Sequence, residues 1–129
     1  LTLKTFSDKA VLLNLWATWC PPCRKEMPSL DRLQSLRGGT DFEVVALSID
    51  KGGSEQVQPF FEEIGIKRLE MYLDQPGVSM QALKIVGLPT TLLVGKDGSE
   101  LARWVGPKEW DDPETIKEIE VLLARSEGD

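Results

Sequence analysis

Histidine is absent from the chain, and cysteine occurs only twice. Without imidazole, no side chain has an ordinary pKa near neutrality, so proton transfer at pH 7 falls to a shifted carboxylate or thiol. The same absence starves a metal centre. A lone Cys-x-x-Cys supplies half of a structural zinc site, and neither a third cysteine nor a histidine is present to complete it. A copper site would lack the same ligand. Long apolar runs are missing too: none approaches the roughly 20 residues that a membrane-spanning helix needs. Positive charge is in deficit, with 15 Lys and Arg against 21 Asp and Glu and a net charge of −6. That balance argues against nucleic acid or anionic lipid as the main partner. Repeats, low-complexity tracts and linkers are also lacking. The 129 residues are 41% hydrophobic and 28% charged, so residues 1–129 read as one globular domain with room for a core. The chain opens on Leu1 rather than Met, which points to a piece of a longer protein. Cysteine usage does not fix the compartment.

What is present centres on Trp19-Cys20-Pro21-Pro22-Cys23. The apolar run at residues 11–17 before it reads as a buried strand. Met27, Leu30, Leu33 and Leu36 after it form a helical stripe. The cysteines therefore sit where a strand gives way to a helix, and Pro21 suits a first turn whose N–H groups are unpaired anyway. Helical spacing puts the two Cα atoms about 5–6 Å apart, within disulfide range. A bridge across so short a loop constrains the unfolded chain little, so it reads better as a redox device than as a staple. Zinc, copper and a purely structural disulfide remain as weaker readings. Cys20 faces the positive end of the helix dipole, which favours a thiolate. Cys23, one turn in, would be the resolving thiol. The expected chemistry is attack on a disulfide, a mixed disulfide at Cys20, and release by Cys23.

Pro21 and Pro22 refine this. Neither has an N–H to offer the thiolate, which leaves the amide of Cys23 and those beyond. A less stabilised thiolate means a less stabilised reduced form and a more reducing couple. The expected potential lies nearer about −270 mV than about −120 mV.

Along the rest of the chain, residues 1–10 read as an edge strand with a turn at 7–9, and Pro28 interrupts the first helix, which Gly38-Gly39 closes. Residues 42–49 read as a strand covered on both faces. Ser54 is the expected N-cap of a helix burying Val57, Phe60, Phe61 and Ile64. A short strand is expected at 70–73 and a short helix at 78–86. A hairpin follows, Thr90–Val94 and Glu100–Val105 around Asp97-Gly98. Asp112 then caps a last helix that carries Pro113 first and buries Ile116, Ile119, Leu122 and Leu123. Residues 126–129 are expected to fray. The alternation implies an α/β three-layer sandwich with a mixed sheet.

Two blocks resemble the thioredoxin superfamily: the run from Asn14 to Cys23, and Gly87-Leu88-Pro89-Thr90-Thr91. Arg24-Lys25-Glu26-Met27-Pro28 and the extra helix and strand at 54–73 are similar to the TlpA/ResA-type thiol-disulfide oxidoreductases. Residues 42–50 and 106–110 look closest to the TlpA branch. The resemblance implies a thioredoxin fold, with the helix and strand inserted before a cis Pro89. The alternative for Pro89 is a trans proline in a loop. A cis Pro89 would place the backbone of Leu88 where a client segment can add as a strand, with Trp19, Pro21 and Pro22 as the other groove residues. Trp16 reads as core. Glu26 is the candidate proton acceptor for Cys23, and a solvated helix-surface acid is the competing reading. Thioredoxin itself carries a buried aspartate where this chain has Asn14, so that proton route does not transfer. Asp111-Asp112 and the acidic C-terminus read as a solvated face.

The resemblance further implies a bacterial, periplasmic reductant, tethered to the inner membrane by an N-terminal segment outside this sequence. It would be monomeric and need no cofactor beyond the Cys20–Cys23 disulfide. Electrons would come from a membrane thiol transporter and go to client protein disulfides in cytochrome c or copper-delivery proteins. A general cytoplasmic thioredoxin-type reductase is the rival enzyme, and a non-catalytic interaction module the rival of another class.

Overall fold

The computed structural model describes residues 8–74 and 78–128. The edge strand expected within residues 1–10 falls mostly outside them. The elements run β1 (Ala10–Trp16), α1 (Pro21–Arg37), β2 (Phe42–Ser48), α2 (Ser54–Ile64), β3 (Tyr72–Leu73), α3 (Val78–Ala82), β4 (Thr90–Val94), β5 (Glu100–Val105) and α4 (Pro113–Gly128). The five-stranded sheet has the order β3-β2-β1-β4-β5. β1 pairs parallel with β2 and antiparallel with β4, so the sheet is mixed and β1 lies at its centre.

Every residue of β1 is buried, and alternation divides them between two cores. Ala10, Leu12 and Trp16 join α1, α2 and α4 through Met27, Leu30, Leu33, Val57, Phe60, Phe61, Ile116 and Ile119. Val11, Leu13 and Leu15 face the opposite way, with Val45, Leu47, Leu92 and Val94, against Leu83 and Ile85 after α3. Helix layers thus cover both sides of the sheet, as expected of a three-layer sandwich. Asn14 shares the parity of Leu12 and Trp16, which aims its side chain at α1.

Local chemistry moves several boundaries. Ser54 is the first helical residue of α2 rather than its cap. Gly53 is the N-cap at φ 59°, a conformation open to glycine, and Gln56 Oε1 accepts from Gly52 N at 2.6 Å. The strand at 70–73 shrinks to Tyr72–Leu73, which pairs with Leu47 and Ser48. α3 ends at Ala82 rather than Val86 because Lys84 turns left-handed at φ 55°, and Ile85 N–H closes back on Met80 O at 2.9 Å. α4 stays helical to Gly128, aided by Arg37–Glu120 and Lys96–Glu127 pairs at 3.1 and 2.9 Å. Asp112 does cap it, accepting from Glu114 N at 3.1 Å.

The inserted α2–β3 stretch is tied to α1 by one carboxylate. Asp31 accepts from the backbone amides of Lys67, Arg68 and Leu69 at 3.1, 2.7 and 2.9 Å. These bonds are mostly exposed, so water replaces part of what a truncation removes. Asp31→Ala should cost about 1–2 kcal/mol. The expected readout is a lower urea midpoint at unchanged m.

Candidate active site

β1 delivers the chain to the site and α1 begins there. Between them, residues 17–19 are held by Asp50, just past β2. Its carboxylate accepts from Thr18 N at 3.0 Å and Thr18 Oγ1 at 2.7 Å, and from Ser48 Oγ at 2.6 Å. Cys20 N donates to Ala17 O at 3.2 Å. Cys20 is the N-cap of α1, with Pro21 and Pro22 in its first two helical positions. The Cys23 amide donates to Cys20 Sγ at 3.3 Å. No closer amide could do so, because both intervening residues are prolines.

Cys20 and Cys23 form a disulfide with Cα atoms 5.3 Å apart. Cys20 is 5% exposed and Cys23 0%. Trp19 is 64% exposed and lies with Pro21, Arg24, Lys25 and Phe60 along an open depression, whereas Trp16 is fully buried. Pro22 is exposed, and Arg24 stacks over the Phe60 ring at 4.7 Å. The Leu88–Pro89 peptide is cis. Thr90, the next residue, pairs with Leu15 near the end of β1, so Pro89 enters the sheet at the edge from which the Cys20 loop leaves. Gly106 N donates to Pro89 O at 2.8 Å and Thr90 Oγ1 to Gly87 O at 2.6 Å. Leu88 is half-buried and packs against both cores.

Glu26 is 1% exposed, so it is not a surface acid. Its Oε1 accepts from Asn14 Nδ2 at 2.6 Å. Its Oε2 accepts from Lys108 N at 3.0 Å and Trp110 Nε1 at 2.9 Å. Burial pushes the carboxyl above its ordinary value. The donors Trp110, Asn14 and the Lys108 amide pull it back only in part, and the Glu109 charge adds to the rise. Ser29, one turn on, accepts from Trp110 N at 3.0 Å and laces the same loop to α1. Sequence reasoning found Glu26 and missed its setting: Asn14, Thr91, Lys108 N and Trp110. The available signal was the lone polar residue in the β1 run, on the strand face that meets α1. Asp111 is less free than a solvated face implies, since it accepts from Arg32 Nε at 2.7 Å. Among the described residues, no group of three His, Cys, Asp or Glu side chains could hold a metal ion.

The Redoxin family profile matches residues 1–122. The chain belongs to the Redoxin family. Among its curated relatives, the thiol-disulfide oxidoreductase ResA of Bacillus thuringiensis subsp. konkukian is 35% identical over 96 residues, 74% of this chain and 54% of that protein. ResA of Geobacillus kaustophilus is 31% identical over 96 residues, with the same coverage of 74% and 54%. This Redoxin chain thus spans about half the length of the curated relatives it matches. A structure described as a thiol:disulfide interchange protein DsbE from Chlorobium tepidum superposes with a TM-score of 0.81 at 25% identity, covering 95% of this chain and 86% of that one. A DsbF homologue from Corynebacterium diphtheriae gives 0.72 at 26% identity, covering 92% and 76%. The Redoxin is therefore a thioredoxin-fold chain, as the two motif blocks imply, and of ResA-like type, as residues 24–28 and the inserted stretch at 54–73 imply. Among the described residues, no helix is long and apolar enough to cross a membrane.

Proposed function

We propose that this Redoxin is a thiol-disulfide oxidoreductase that reduces disulfides in client proteins. The observation that carries this reading is the asymmetry of the pair. Cys20 Sγ caps a helix and receives the one amide within reach, while Cys23 is sealed behind it. In the reduced form, the Cys20 thiolate attacks one sulfur of a client disulfide. The client S–S bond breaks, one client thiolate leaves, and a mixed disulfide forms. Cys23 then gives its proton to Glu26, and its sulfur attacks Cys20 Sγ. The mixed disulfide breaks and the second client thiolate departs. The client gains two electrons and the domain ends as the Cys20–Cys23 disulfide, with no other cofactor required. The two prolines withhold amides from the thiolate, which fits a reductant.

The setting is proposed on the likeness to ResA and to the DsbE structure: a periplasmic domain, anchored in the full-length protein and recharged by a membrane thiol donor. Its clients would be cytochrome c or copper-delivery proteins. The decisive experiment is capture with Cys23→Ser. This variant should accumulate a client through Cys20 that thiol reductant releases, and mass spectrometry would name it. Capture through the other thiol in Cys20→Ser, with none in Cys23→Ser, would reverse the two roles.

A further inference from the structure

Glu26 and Asn14 meet in a way that one fixed arrangement does not satisfy. Asn14 Nδ2 lies 2.6 Å from Glu26 Oε1 and 2.9 Å from Thr91 Oγ1, so both of its hydrogens are used. Its Oδ1 is buried and accepts from no group among the described residues. Such an orphan acceptor is unusual in a fully buried side chain and calls for a physical reason. Oε2 offers no room for a proton, because the Trp110 and Lys108 N–H groups fill its acceptor positions. A proton arriving at Glu26 therefore goes to Oε1, the oxygen that the Asn14 amide faces.

We propose that Asn14 is a positioning residue whose side-chain amide turns over with the proton on Glu26. It presents Nδ2 to the carboxylate and Oδ1 to the acid. Turning about the last side-chain bond exchanges the two atoms at almost no cost in shape. In the turned state Oδ1 accepts Glu26 Oε1–H and is placed to accept the Thr91 hydroxyl proton. The charged state leaves one acceptor unpaired and the neutral state leaves the NH2 unpaired. Neither form of Glu26 is then locked in, as a group that must take up and return a proton requires. The groups that bear on Glu26 are Asn14 from β1 and the Lys108 and Trp110 N–H groups and the Glu109 charge from the loop before α4, while Cys23 and Ser29 lie three residues to either side of it on α1. None of them is a cation that could hold the carboxylate ionised instead. This proposal rests on the reading that Glu26 receives the Cys23 proton.

The test uses the wild-type domain in solution, with Glu26 followed through its carboxyl carbon resonance across pH. Above the midpoint, the Asn14 Nδ2 protons should show cross-relaxation to the Thr91 methyl group. Below it, that signal should vanish with the same midpoint. Glu26→Gln presents an NH2 to Asn14 and should hold the amide turned at every pH. An Asn14–Thr91 signal that persists on both sides of the midpoint, or in Glu26→Gln, overturns the proposal. The rate at which a Cys20-linked mixed disulfide resolves in Glu26→Gln separates the two layers. An unchanged rate removes Glu26 from the chemistry, whereas the cross-relaxation result alone decides whether the amide turns.

Discussion

Cys20→Ser should abolish turnover of a model disulfide while leaving the fold standing. A serine hydroxyl at the same N-cap stays protonated at neutral pH and does not displace sulfur from a disulfide, so no residual route remains through this site. Stability should change far less. The ring closed by Cys20 and Cys23 spans neighbouring turns of one helix, and its chain-entropy contribution is about 2 kcal/mol at most. A serine also still accepts the Cys23 amide as a cap. Turnover is compared with that of reduced wild type, by loss of an aromatic disulfide, and folding with that of oxidised wild type, by urea titration. Measurable turnover in Cys20→Ser would remove the nucleophile from its role. Loss of folding would show the bridge to be structural instead.

Glu26→Ala should be the most destabilising single change at the site, by about 3–5 kcal/mol. It strips the acceptor from Trp110 Nε1, Lys108 N and one Asn14 N–H, each costing about 1–3 kcal/mol when buried without a partner, and it opens a hole in α1's packing. Against a typical domain stability of about 5–15 kcal/mol, that loss is severe. Glu26→Gln keeps the volume and the Oε2-side acceptor, so it isolates the charge. Because burial raises the carboxyl above its ordinary value of 4.5, folding takes up a proton between that value and the folded one. Stability from this group is complete below 4.5 and drains away as pH rises through the raised value. Urea titrations from acid to neutral pH should therefore show wild type losing stability with rising pH relative to Glu26→Gln. A difference that does not vary with pH would mean the carboxyl is not shifted.

Strands and helices with strong periodicity were legible. β4 and β5 fall on the expected residues, and β1 and β2 within one residue, because long apolar runs and an Asp-Gly turn leave little choice of register. The errors lie where a single backbone angle decides. A positive φ at Gly53 takes the cap from Ser54, and one at Lys84 shortens α3. Neither follows from hydropathy. α4 persists because its surface finds cations on α1 and after β4, a tertiary effect invisible along the chain. The cysteine pair and its order of burial could be read locally. The company of Glu26 could not, since Asn14, Thr91 and Trp110 are drawn in from 12, 65 and 84 residues away. Glu26 does fall on the face of Cys23, Met27 and Leu30 rather than opposite it, and a charged side chain there already implied buried partners.

The two segments flanking the disulfide are pinned on their inner sides, Thr18 by Asp50 and Pro89 by Gly106. A polypeptide docking there meets a mould that is already set. The entropy lost on association then falls almost wholly on the visitor. Preference should go to stretches that are loose or extended before they arrive. Discrimination between visitors would thus track their foldedness more than their sequence.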